Sequence, residues 1–197
     1  VPKGYENIKG IYSCGDYILN DEGVKKTAKT KDGDFVLVPI CSQPLLIVER
    51  LRNIQDNCEK VVLAFCVGNS WETVQVEREV IASNTKIIRL ANFSIDVTSE
   101  TAKDIVKYLQ CLMQKNINLI KVSHTVNRLG WQNGEFVPYS DKVKCDSISE
   151  FLGIYRAIES KGNYELWIKH CLKLRENIYL RLTMAASFAA PLIEIIG

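Results

Sequence analysis

A chain of 197 residues and 22.3 kDa holds one domain, or two small ones sharing a core. With 47% hydrophobic and 24% charged residues, eleven Gly and five Pro, it is neither disordered nor collagen-like. The net charge of +2 is spread evenly, with only residues 151–197 leaning basic by six to four, which excludes a broad duplex-DNA footprint and leaves room for a local patch.

The first 80 residues predict an antiparallel meander of five to seven strands. "DYIL" leads into the hairpin turn Asn20-Asp21-Glu22-Gly23, and a second turn follows at Lys31-Asp32-Gly33-Asp34. "FVLVPIC" reads as a strand in which Pro39 implies an edge or a bulge. "PLLIVERLRNI" alternates from Ile47 to Ile54 and is either a strand or a short helix. "KVVLAFCVGN" is a strand, Gly68-Asn69 turns it, and "WETVQVER" alternates again. "VEREVIAS" predicts one or two helical turns, and "KIIRLANF" a strand or a continuation of them.

The period changes after residue 95. Thr98 or Ser99 can cap a helix over 99–115, whose apolar face carries Ala102, Ile105, Val106, Leu109 and Leu112. "NLIKVSHTVNRLGW" predicts two short strands broken near His124-Thr125, and "GEFVPYS" another after the turn Gln132-Asn133-Gly134. A polar, linker-like stretch runs to residue 150. Helices are expected over about 163–176 and 178–195, the second around the small residues Ala185, Ala186, Ser187, Ala189 and Ala190. The fold class is therefore α+β: an antiparallel β-rich part over 11–95, then a mixed, mainly helical part over 96–197.

No signal-peptide pattern opens the chain. The stretch "ENIYLRLTMAASFAAPLIEIIG" is its most apolar segment, yet Arg181, Pro191 and Glu194 oppose a membrane span. It predicts a helix that a further segment would cover, with Phe188, Leu192 and Ile195 as interface residues. Seven Cys at wide, irregular spacing, without a CxxC, predict free and mostly buried thiols in a reducing cytosol. His170-Cys171 and His124 make a poor metal set.

There is no G-x-x-x-x-G-K-[ST], no GxGxxG and no GxSxG, so a phosphate cradle or a nucleophile elbow has no support. Two basic groups could meet phosphates: Lys25, Lys26, Lys29 and Lys31 on the first hairpin, and Lys169, Lys173, Arg175 and Arg181 near the last helices. Either could equally be a solvated face or an edge-strand guard. Trp131, before the Asn133-Gly134 turn, fits core packing better than base stacking. The scattered Asp96, Asp141 and Asp146 are the candidates for a self-contained enzyme.

Three stretches occur in a particular order: "FVLVPICSQPLLIVERLRNIQDN", then "VNRLGWQNGEFVPYS", then "WIKHCLKLRENIYLRLTMAASFAAPLIEIIG" with Trp167, Asn177 and the Ser-Phe-Ala-Ala-Pro-Leu run at 187–192. Together they resemble the domain of unknown function 927 family of phage, prophage and mobile-element proteins, over roughly residues 11–197. The resemblance implies an accessory module on the N-terminal side of the P-loop of an MCM-like, AAA+ DNA helicase. ATP and Mg would then belong to that ATPase domain, and residues 1–197 would carry no cofactor, metal or catalytic residue. The implied partners are DNA, the protein's own ATPase domain and a second copy of the chain, in the cytoplasm and without a membrane. A protein-interaction domain that never touches nucleic acid is the competing reading.

Overall fold

Alternating residues and tight turns build the first sheet. The computed structural model describes residues 2–5, 13–137, 140–146 and 161–193. Strands β1 (Ser13–Cys14), β2 (Tyr17–Asn20), β3 (Gly23–Lys29) and β4 (Phe35–Cys41) run antiparallel in the order β1-β2-β3-β4. The turn between β2 and β3 brings Gly23 so close to the end of β4 that an added Cβ would lie 2.2 Å from the Cys41 carbonyl oxygen. Its φ of +118° also suits glycine alone. The register shifts beside that contact, between Val24 and Lys25, so the strand around Pro39 is both an edge and bulged.

Strands β5 (Leu45–Asn53), β6 (Glu59–Val67) and β7 (Ser70–Glu77) follow as an antiparallel meander. β5 is a strand and not a helix; it is buried on both faces over Leu45–Glu49, and its register shifts between Ile47 and Glu49. β8 (Lys121–Val126) flanks β5 on the other side, giving the order β8-β5-β6-β7. Buried Glu49 accepts hydrogen bonds from the Tyr5 hydroxyl, at 2.9 Å, and from the Ser123 hydroxyl. Burial and the Glu49 carboxylate push the Tyr5 phenol up to about 12.

Helix α1 (Arg78–Ala82) continues from β7. Residues Ile87–Phe93 form a 3-10 helix where a strand was one expectation, because Ile87 and Leu90, three apart, both go into the core. Helix α2 spans Ala102–Lys115, with Thr101 just before its first residue. The Thr98 and Thr101 hydroxyls each accept from the other's backbone N–H, a reciprocal pair that caps the entry to the helix, and Ala102 N–H donates to Thr98 O at 2.9 Å. The expected face is the buried one: Ile105, Leu109 and Leu112 are all within the core. Tyr108 adds its ring beside Tyr17, at 5.7 Å, and donates to the Leu45 carbonyl at 2.7 Å.

The expectation of free cysteines fails at Cys14 and Cys111, which form a disulfide joining β1 to α2. Sequence separation concealed this pair, because its members stand 97 positions apart. Among the free thiols only Cys41 is buried, whereas Cys58 is exposed.

The chain divides into two compact units, Val1–His124 and Thr125–Gly197. In the second, β9 (Gly130–Gln132) and β10 (Glu135–Val137) form a hairpin on Asn133-Gly134, both at positive φ. Trp131 meets Phe136 edge-on at 5.2 Å and is half-buried. The break expected at His124-Thr125 falls instead after Val126, since β8 runs through it. β11 (Val143–Cys145) lies in the linker-like stretch, and the buried Asp146 beside it accepts from the Thr125 hydroxyl at 2.8 Å. Helices α3 (Tyr164–Leu174) and α4 (Ile178–Ala189) complete the unit. Each is capped by an asparagine: Asn163 Oδ1 accepts from Leu166 N and Asn177 Oδ1 from Tyr179 N, both at 2.9 Å. α4 ends at Ala189, where Ala190–Leu192 tighten into a 3-10 turn at Pro191, and residues 194–195 of the expected helix lie outside the described residues. Among the described residues no helix is long and apolar enough to cross a membrane.

Candidate functional site

On the first hairpin, Lys25 and Lys26 are already paired. Lys25 meets Glu22 three residues away, and Lys26 meets Asp104 in the first turn of α2 at 2.7 Å. The bond to Asp104 raises the Lys26 ammonium above its ordinary range, against a smaller opposing effect of burial. Lys29 and Lys31 are exposed, with no ion pair among the described residues. The hairpin therefore presents two open cations to solvent, fewer than its sequence promised.

The second basic group lies on α3 and its end. Lys169 and Lys173 are exposed and one helical turn apart. Arg175, at the C-cap, and Arg181, in the first turns of α4, line one shallow notch with Met184, Ala185 and Phe188. The notch thus sets two guanidinium groups against an apolar, aromatic floor.

Around that notch α3 and α4 carry no buried residue at all. Trp167 stacks on Tyr164 at 5.9 Å and meets Phe188 edge-on at 6.2 Å, yet Trp167 is 48% and Phe188 51% exposed. Leu166, Leu172, Ile178, Leu180, Leu182 and Leu192 are exposed as well. An apolar surface of this kind is uncommon on a folded domain. Of the interface residues expected from sequence, Phe188 and Leu192 belong to this surface, and Ile195 lies outside the described residues.

The carboxylates do not assemble a reactive centre among the described residues. Asp96 Oδ2 accepts from Ser42 N at 3.0 Å and its own N–H donates to Gln43, fixing a loop. Asp146 is engaged with Thr125, and Asp141 is exposed. No group of three or more His, Cys, Asp or Glu among the described residues could hold a metal ion. One strong charge cluster does exist: Glu59 takes both Arg50 Nε and Nη2, at 3.0 and 2.9 Å, and Arg78 at 2.8 Å. The Arg50 hydrogen bonds, chiefly, hold the Glu59 carboxyl below its usual range. This cluster ties β5, β6 and α1 together and is structural.

Sequence reasoning missed the bareness of β4. Phe35, Val36, Leu37 and Val38 are all exposed, on both faces of the strand. A continuous apolar run ordinarily signals a strand covered on both sides; Pro39 marked this one as an edge or a bulge, but not how much of its apolar surface stays bare.

A family model described as "Domain of unknown function (DUF927)" matches residues 17–197. No curated protein matches. Among solved structures, one titled "SCCmec type IV Cch - active helicase" aligns with a TM-score of 0.49 and 13% identity, over 84% of this chain and 30% of that one.

Proposed function

The chain belongs to the DUF927 family, and on that premise we propose that it is an accessory module whose α3–α4 surface docks on an ATPase domain of the same protein. The observation that carries the reading is the wholly exposed apolar pair α3 and α4. Two helices that bury nothing of their own leave their apolar side chains for another body to cover. The family resemblance supplies that body, a P-loop ATPase of a mobile-element or phage DNA helicase, so ATP and Mg act there and not on this unit. The coding sequence beyond Gly197 tests the reading directly. A Walker A motif within some tens of residues is expected, and its absence overturns the assignment.

DNA contact belongs to the same proposal and rests on Lys29 and Lys31 on the hairpin and on Lys169, Lys173 and Arg175. The pairing of Lys25 with Glu22 and of Lys26 with Asp104 favours the alternative, a protein-interaction module with no nucleic-acid contact. Titration with single-stranded and duplex DNA at two salt concentrations separates the two. Phosphate contacts give an affinity that falls steeply with salt, whereas no binding at low salt supports the interaction module.

A further inference from the structure

β4 is the outermost strand of its sheet. Its Phe35, Val36, Leu37 and Val38 are 73%, 43%, 52% and 43% exposed. Proteins blunt such an edge with charge, proline or a bulge; Phe35–Cys41 contains no charged residue, and its proline and its bulge fall at the end of the strand, after Phe35–Val38.

The direction of its backbone groups follows from its partner strand. Thr30 N–H donates to Asp34 O at 2.7 Å, and the same register sets Ala28 against Val36 and Lys26 against Val38. Hydrogen-bonded pairs alternate in an antiparallel ladder, so Val36 and Val38 spend their N–H and C=O groups on β3. Thr27, opposite Leu37, donates its N–H the other way, to Asp16 O, which confirms the parity. Phe35 and Leu37 therefore direct both N–H and C=O to the open edge, and Pro39 directs its C=O alone.

We propose that β4 pairs antiparallel with β4 of a second copy of this chain, about a two-fold axis at Leu37. In that register the two Leu37 residues exchange a pair of hydrogen bonds. Each Phe35 N–H donates to the Pro39 oxygen opposite, so Pro39 is asked only to accept. Val36 stands against Val38 and Phe35 against Pro39, apolar on both faces. Asp34 falls opposite Ile40, so no like charges meet. The edge is thus complementary to itself in charge and apolar character and makes four cross-strand hydrogen bonds, with only the two Phe35 carbonyls left facing the proline nitrogens, which is what an isologous contact can use. Five residues bury far less than the ~1,600 Å² of a standard interface, so the pair is reversible. It uses no residue of α3 or α4 and stands apart from their docking on an ATPase.

The test is made on the whole 197-residue chain. In a background with Cys58, Cys66, Cys145 and Cys171 replaced by serine, Leu37→Cys should form a disulfide-linked dimer under mild oxidation. Directly opposed residues of a hydrogen-bonded pair have Cα atoms about 5.5 Å apart, within disulfide reach. Val36→Cys should not cross-link by itself but should do so when mixed with Val38→Cys. In sedimentation at high concentration, Leu37→Lys should lose the dimer boundary that the unmodified chain shows. The proposal is overturned if Leu37→Cys stays monomeric, if Val36→Cys cross-links as readily, or if Leu37→Lys sediments like the unmodified chain.

Discussion

Leu109 sits at the centre of the apolar face of α2 and is 0% exposed. Leu109→Ala removes about three carbons from that site, and at ~0.8 kcal/mol per buried methylene the transfer loss alone is about 2.4 kcal/mol. The site is held by strands on one side and by the Cys14–Cys111 link near the end of the same helix, so it collapses little. A cavity contribution then brings the total to about 3–4 kcal/mol, within the usual range for such truncations. For a unit of this size, a kilocalorie lowers Tm by roughly 4 °C, so the midpoint should fall by about 12–16 °C. Lys107→Ala, on the exposed face of the same helix, is the control and should stay within about 0.5 kcal/mol. Paired urea and thermal melts read both. A Leu109→Ala change under about 0.5 kcal/mol, or one matched by Lys107→Ala, would refute the assignment of the buried face.

Removing the Cys14–Cys111 disulfide by paired serine substitution frees a loop of 97 residues' separation; loop entropy sets the loss at roughly 4–5 kcal/mol, read as a lower urea midpoint, and an unchanged midpoint would count against the bond. Glu59→Gln tests the arginine cluster by pH. Because the folded-state Glu59 carboxyl is depressed by Arg50, its stabilisation is full above the unfolded value of about 4.3 and is lost as pH falls through the lower folded value. The stability gap between the parent chain and Glu59→Gln should therefore be open at neutral pH and close in acid; a gap constant with pH would contradict the ion pairing. Gly23→Ala should cost more than about 1 kcal/mol, since both its φ and the Cys41 carbonyl oppose a side chain; a neutral substitution would show that the β2–β3 turn relaxes freely. Asn177→Ala should lower the helicity of α4, losing about 1 kcal/mol of capping, measured by circular dichroism, with no change in helicity refuting the cap.

Short-range chemistry made much of the fold legible. Turn residues announced both hairpins of the first sheet and the Asn133-Gly134 hairpin, and the 3-and-4 spacing of α2 identified its buried face down to Leu109. What was hidden depended on residues far apart in the chain. The Cys14–Cys111 bond has no local signature, and neither has the burial of Glu49, which Tyr5 and Ser123 reach from far along the chain. The basic hairpin was visible as residues but not as charge, because Asp104 arrives from a helix some eighty positions later to meet Lys26. The apolar text of 178–192 was plain, and its exposure could be known only once α3 was seen to leave it uncovered. For β4, Pro39 signalled the edge or bulge, but an unbroken apolar run says nothing about whether a neighbouring layer exists to cover it.

The most direct test of the account compares amide hydrogen exchange across 164–189 in the 197-residue chain and in the full product of its gene. Docking of α3 and α4 on an ATPase domain should slow exchange in both helices by about tenfold or more, equivalent to ~1.4 kcal/mol, while α2 exchanges alike in the two proteins. Exchange in α3 and α4 that is equally fast in both would show that their apolar surface has another use, and the accessory-module account would fail.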